Sequence, residues 1–255
     1  MQLLIKKIAR LSSVITFRNL ISFRPVWILK NTENRVASVS DGFLWRTDNG
    51  FKTTFKYTDI LGLFYKKENS FVEVVFYSKN NNFIKKITIN QLDYSNELLI
   101  DKDLLNGIEG YGVFYIFHRS DSDFGDDLII SNRCYLGFSM EGGLSSFVHG
   151  NTYVRYQRLD GKGEGSGMIQ NTFFKNLYRI QNSFLGFNKT ELFFVNPTSK
   201  KLKFSIGLNK YTLEVGCSIL IDVSDKKEIS ILSKCLFLRP FIFNYKDGYF
   251  DVYHG

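Results

Sequence analysis

An all-β fold, made of two packed antiparallel sandwich or jelly-roll-like lobes behind a short basic segment, is what this chain predicts. Three observations carry that expectation. Ala9 and Ala37 are the only alanines among 255 residues, against 25 phenylalanines and 14 tyrosines; a chain poor in the best helix former and rich in aromatic side chains favours pleated strands. From Ser40 onward, short alternating apolar runs are separated by Asn, Asp, Gly and Lys clusters, the pattern of half-buried strands and tight turns. No long helical stripe interrupts them, and half-polar sheets cover their apolar faces with one another.

Residues 1–39 form the basic segment. Leu4, Ile8, Leu11, Ile15 and Phe17 fall close to helical spacing with Lys7, Arg10 and Arg18 between them, so Met1 to Phe23 reads as an amphipathic helix. Such a helix either packs on the body, the commoner outcome, or lies on anionic lipid as a peripheral membrane contact through residues 1–24. Its basic bias is also that of a transit peptide. Residues 40–157 make the first lobe, where Phe71–Tyr77, the polar turn Lys79–Asn82 and Phe83–Ile89 predict a hairpin.

Residues 158–170 read as a Gly-rich loop around Gly161, Gly163, Gly165 and Gly167. They lack both the spacing and the following helix that a Walker phosphate loop needs. Residues 171–255 make the second lobe, with strand runs at Leu202–Leu208, Tyr211–Val215, Cys217–Val223 and Glu228–Leu232. Gly112–His118 lines up without gaps on Gly248–His254, as if two strands closed equivalent sheets.

The formal charge is +8, but Lys6, Lys7, Arg10, Arg18, Arg24 and Lys30 stand among the first 30 residues with no acid, which leaves 27 basic against 25 acidic residues beyond them. A nearly neutral body argues against nucleic acid as a partner, since counterion release needs a concentrated basic stripe. Cys134, Cys217 and Cys235 are odd in number and lack C-x-x-C spacing, which fits a reducing cytoplasm. No apolar run approaches bilayer-spanning length, and no secretory leader pattern opens the chain.

Chemistry-bearing constellations are sparse. His118, His149 and His254, with Asp251, offer neutral imidazoles and a carboxylate for Zn or Fe with an open water position. No two of the histidines share the i, i+2 or i, i+4 spacing that preassembles ligands, and each can equally bond a turn. Asp121, Asp123, Asp126 and Asp127 concentrate in one loop, but Phe124 and Gly125 occupy places where an EF-hand puts a ligand and its glycine. Gly137-Phe-Ser139-Met-Glu141 misses the last position of a nucleophile elbow, and no dinucleotide fingerprint is present. Asp41, Asp48, Asp251 and Glu141 remain unranked as a glycosidase pair, because their separation is a three-dimensional quantity.

What is left is an aromatic and planar-polar set near predicted turns. Trp45, Arg46, Arg133, Asn151, Tyr153 and Arg239 are the candidate ligand-binding residues, with Tyr135, Tyr156 and Tyr178 beside them. Aromatic faces cover the C–H face of a sugar while Arg and Asn satisfy its hydroxyls. The competing structural role for each is core filling with one polar partner.

Ser40–Thr47, Phe147–Asn151, Asn196-Pro-Thr, Leu238–Phe241 and Asp251–Gly255 together resemble a group of uncharacterised bacterial all-β proteins. Residues from about Glu191 to Gly255 resemble the sandwich of sensory-rhodopsin-transducer-like proteins, which implies small-ligand or partner binding and carries over no catalytic residue. The sequence thus predicts a non-enzymatic, cytoplasmic protein that binds a small polar ligand, a saccharide foremost, or a protein partner or second copy, with no cofactor. The alternative is a metal-dependent enzyme on a jelly-roll scaffold.

Overall fold

The computed structural model describes residues 2–9, 11–20, 37–122, 129–131, 134–141, 143–159, 163–169, 171–180, 186–224, 228–235 and 238–255. Along the chain, α1 (Gln2–Ala9) and α2 (Ser12–Leu20) precede β1 (Ala37–Asp41), β2 (Phe43–Arg46), β3 (Lys52–Tyr57) and the short α3 (Ile60–Tyr65). Next come β4 (Phe71–Ser78), β5 (Phe83–Ile89), β6 (Asn96–Ile100), β7 (Tyr111–Arg119), β8 (Ile129–Ser131), β9 (Tyr135–Ser139), β10 (Ser146–His149) and β11 (Tyr153–Arg158). The remaining strands are β12 (Glu164–Ser166), β13 (Asn171–Ile180), β14 (Lys189–Val195), β15 (Leu202–Ile206), β16 (Asn209–Leu213), β17 (Ser218–Asp222), β18 (Ile229–Cys235), β19 (Phe241–Lys246) and β20 (Tyr249–His254).

The protein is all-β, with its strands in five four-stranded sheets. In spatial order these are sheet I (β12–β11–β1–β8), sheet II (β2–β7–β4–β5), sheet III (β10–β9–β3–β6), sheet IV (β17–β14–β19–β20) and sheet V (β13–β18–β15–β16). Apart from the parallel pair β1 and β8, the pairings are antiparallel. The β4–β5 hairpin appears where the sequence places it, Val72 opposite Ile89.

The amphipathic stretch at the start is two helices rather than one. The Gly-rich stretch departs further from expectation, because Glu164–Ser166 is a strand paired with Arg155–Gln157. Gly165 permits this: a Cβ there would meet the Tyr156 ring at 2.4 Å. The echo strands β7 and β20 are not equivalent, since β7 lies between β2 and β4 whereas β20 is an edge. Seven residues with one aromatic pattern fit both places because only a pleated, half-buried surface is being specified.

Sheet IV is the common wall. Thr190 to Val195 are all buried, and their alternation feeds two cores. Phe193 and Val195, with Phe241 and Phe243 of β19, enter an aromatic core shared with sheets II and III, around Phe43, Phe55 and Phe114. Leu192, Phe194 and Ile242 point the other way, into an aliphatic core closed by Leu202, Ile206 and Ile231 of sheet V.

β1 and β2 make one path with a corner at Gly42, where a Cβ would lie 2.9 Å from Val154 and 3.0 Å from Val195. β2 pairs β7 through its backbone. Past the corner, the Ile116 and His118 amides of β7 donate instead to the hydroxyls of Ser40 and Ser38, each at 2.9 Å. Buried backbone donors must find such acceptors, so two serines inside the core replace a ladder that has turned away.

Candidate functional site

Trp45 and Arg46 are each 1% exposed, so neither faces arriving ligand. The Trp45 indole donates to the Tyr77 carbonyl at 2.9 Å and lies where a Cβ on Gly112 would stand. Arg46 clamps two layers together. Its guanidinium donates to both Asp48 oxygens at 2.9 and 2.8 Å, and to Glu191 Oε2 and the Tyr245 hydroxyl at 2.9 Å. It also stands 4.2 Å from the centroid of the Phe51 ring. Burial works against its charge, but Asp48, Tyr245 and Glu191 outweigh that and raise its pKa. Burial likewise disfavours the Glu191 carboxylate, and Arg46, Lys189 and Tyr245 overcome it, holding its pKa below the usual range.

A second cluster forms at the Gly150 turn, and here four sequence-predicted residues meet. Asn151 Nδ2 donates to the Arg239 carbonyl, and Arg239 Nε donates to the Gly255 carbonyl at 3.2 Å. His254 stacks on Phe241 at 5.0 Å and has backbone hydrogen bonds at His149 and Gly150. Burial, then the Arg239 charge, push His254 down to about 4. Asp41 reaches the same turn, with Oδ2 2.1 Å from where a Gly150 Cβ would be, and burial pushes it up to about 7.

The metal expectation needs correction. Among the described residues no group of three or more His, Cys, Asp or Glu side chains is placed to hold an ion. His118, His149, His254 and Asp251 are therefore not one ligand set. His118 is buried on β7, His149 faces the Tyr135 ring at 4.4 Å, and Asp251 accepts from Ser146 at 2.8 Å on the β10–β20 seam. Tyr153 is half-buried opposite Asp41. Arg133, Asp123, Asp126 and Asp127 lie outside the described residues.

The open site lies elsewhere, on the outer face of sheet V. A groove of about 590 Å³ is lined by Lys175, Lys201, Lys203, Lys210 and Lys234, with no acid in its wall. Strand alternation puts them there: Leu202, Phe204 and Ile206 point into the aliphatic core, so Lys203 and Ser205 face out, with Lys210 opposite Ser205. Lys201 pairs with Glu214 at 2.5 Å. Among the described residues, Lys175, Lys203, Lys210 and Lys234 have no carboxylate partner.

Asn171 lines this groove and also an adjoining cavity of about 420 Å³ walled by Tyr156, the Gly165–Ile169 run and Thr198–Lys200. Its Oδ1 is buried without a protein partner. Gly167 makes the wall possible: φ is +78°, and a Cβ would stand 2.2 Å from the Ser199 nitrogen. The opposite rim is built by Asn196. Its Nδ2 donates to the Lys200, Leu213 and Glu214 carbonyls at 2.8 to 3.1 Å, and its Oδ1 accepts from the amide and hydroxyl of Thr198.

Asn196→Ala is expected to cost about 2 kcal/mol, because it strands several buried carbonyls at once. Urea denaturation checks this, and a midpoint equal to wild type would show the turn held by other means.

Whole-chain charge bookkeeping missed the groove because lysines from residues 175 to 234 meet only through sheet pairing. The readable signal was local, in K-x-K alternation at Lys201-Leu-Lys203. Compared with known proteins, the chain matches no family model, no curated protein and no solved structure.

Proposed function

We propose that this protein is a non-enzymatic β-sandwich binding protein whose ligand is a small acidic saccharide, held in the lysine-lined groove of sheet V. The observation that carries this reading is the lysine set beside the unpartnered Asn171 Oδ1. Ammonium groups recognise carboxylate or sulfate, and a buried amide oxygen left without a donor is satisfied by a sugar hydroxyl. The half-buried Leu232 and Tyr211 supply apolar lining, and an openness to solvent on one side suits an oligosaccharide end. None of these groups forms a nucleophile–base pair, so binding rather than turnover is the chemistry they support.

The test is calorimetric titration with a uronic-acid oligosaccharide and its neutral counterpart. The acidic sugar is expected to bind, with affinity falling as salt rises. Lys203→Glu combined with Lys210→Glu should weaken it about tenfold or more, roughly 1.4 kcal/mol. Equal binding of the neutral sugar, or binding indifferent to both substitutions, overturns the reading.

A further inference from the structure

The molecule leaves an apolar surface uncovered where its helices meet sheet V. On α1 and the link to α2, Leu4, Ile8 and Leu11 follow the i, i+4, i+7 stripe of one helix face, with Ile5 beside it. They are exposed by 62, 48 and 53%, and Ile5 by 60%. Helix α1 packs on α2, and α2, with Ile15 buried, lies against β13. β13 continues the surface. A break in its register between Asn171 and Asn176 interrupts strand alternation, so Phe173 and Phe174 both point outward, edge to face at 5.1 Å. They are 64 and 59% exposed. Thr172 holds the break by donating to the Phe174 and Lys234 carbonyls.

We propose that this surface docks on the interface of an anionic phospholipid bilayer. Charge selects that occupant. The first 30 residues carry six cations and no acid, Lys175 lies next to Phe174, and the Lys234 ammonium sits 5.7 Å from the centroid of the Phe173 ring. Apolar side chains flanked by ammonium and guanidinium groups match a layer whose acyl boundary lies just under its phosphates. The contact is interfacial, since among the described residues no helix is long and apolar enough to cross a membrane. It rests on residues other than those proposed to grip the saccharide in Lys203 and Lys210.

The experiment is cosedimentation of the full chain with phosphatidylcholine vesicles, with and without phosphatidylglycerol. Wild type is expected to sediment with the anionic vesicles and to be released by salt. Ile8→Asp with Leu11→Asp, and separately Phe173→Ser with Phe174→Ser, should each lower partitioning about tenfold or more. All four positions are exposed, and an unchanged thermal midpoint confirms that the variants fold. Failure to sediment, equal sedimentation with neutral vesicles, or wild-type partitioning of both variants overturns the proposal. So does a dimer in light scattering that Ile8→Asp with Leu11→Asp converts to monomer, since a second copy would then cover the face.

Discussion

Arg46→Ala is expected to destabilise the protein by about 3–5 kcal/mol, the cost of leaving buried carboxylates without their cation. Glu191 lies on β14 in the shared wall, Asp48 follows β2, and Tyr245 lies on β19, so one guanidinium joins sheet II to sheet IV. Arg46→Lys should recover little of the loss, because an ammonium cannot donate to both Asp48 oxygens while reaching Glu191 and the Phe51 face. Urea denaturation is the measurement, with a lowered midpoint and an unchanged slope.

A double-mutant cycle with Glu191→Gln separates the ion pair from the packing. Coupling of about 1–3 kcal/mol is expected for groups sharing one network. The pH dependence follows from the depressed Glu191 carboxyl. A group with a lowered folded pKa stabilises above its unfolded pKa and loses that contribution as pH falls through the folded value. Arg46→Ala should therefore flatten the acid limb of the stability curve. A variant as stable as wild type with the same acid limb would mean that the clamp contributes nothing net.

How much of this was legible beforehand depends on whether a residue's role is local. The β4–β5 hairpin is, because alternation and a polar turn lie within one short window. Asn196 is partly so, as an Asx residue before Pro197 announces a turn but not the three carbonyls it satisfies. Trp45 and Arg46 read equally well as a sugar platform or a core pair, and only the neighbour 145 residues away decides it. A long polar side chain in a strand gives no sign of which layer will close over it. Convergence at Gly150 was visible as two His-Gly pairs, at His149 and His254, yet metal spacing could not foretell that one imidazole would bond the other's backbone. The lysine groove was the least legible, because summed charge is blind to which face of a sheet each residue takes.

The Gly150 turn makes the second large effect a matter of slope. Asp41, with its pKa raised from 3.8 to about 7, keeps its proton in the folded state while the unfolded chain has released it. Across that window folding binds the extra proton, so stability falls as pH rises, by about 1.4 kcal/mol per pH unit. His254, lowered from 6.5 to about 4, does the reverse. The unfolded imidazole takes up a proton that the folded one refuses, so its contribution is lost as pH falls through that range. From about pH 4 to 6.5 the two slopes oppose each other, and wild type should show little net dependence from this turn. Asp41→Asn keeps the shape of the protonated carboxyl and removes one slope. Stability should then climb with pH by about 2–3 kcal/mol over the window, after discounting the partly exposed imidazole for solvent screening. At about pH 8 the variant should exceed wild type by up to about 4 kcal/mol. His254→Phe, stacked on Phe241 without the titration, should tilt the curve the opposite way. Because the slope is read rather than the height, loss of the backbone hydrogen bonds at position 254 does not obscure the result. Parallel curves for wild type and both variants would show that neither group is withheld from solvent by the turn.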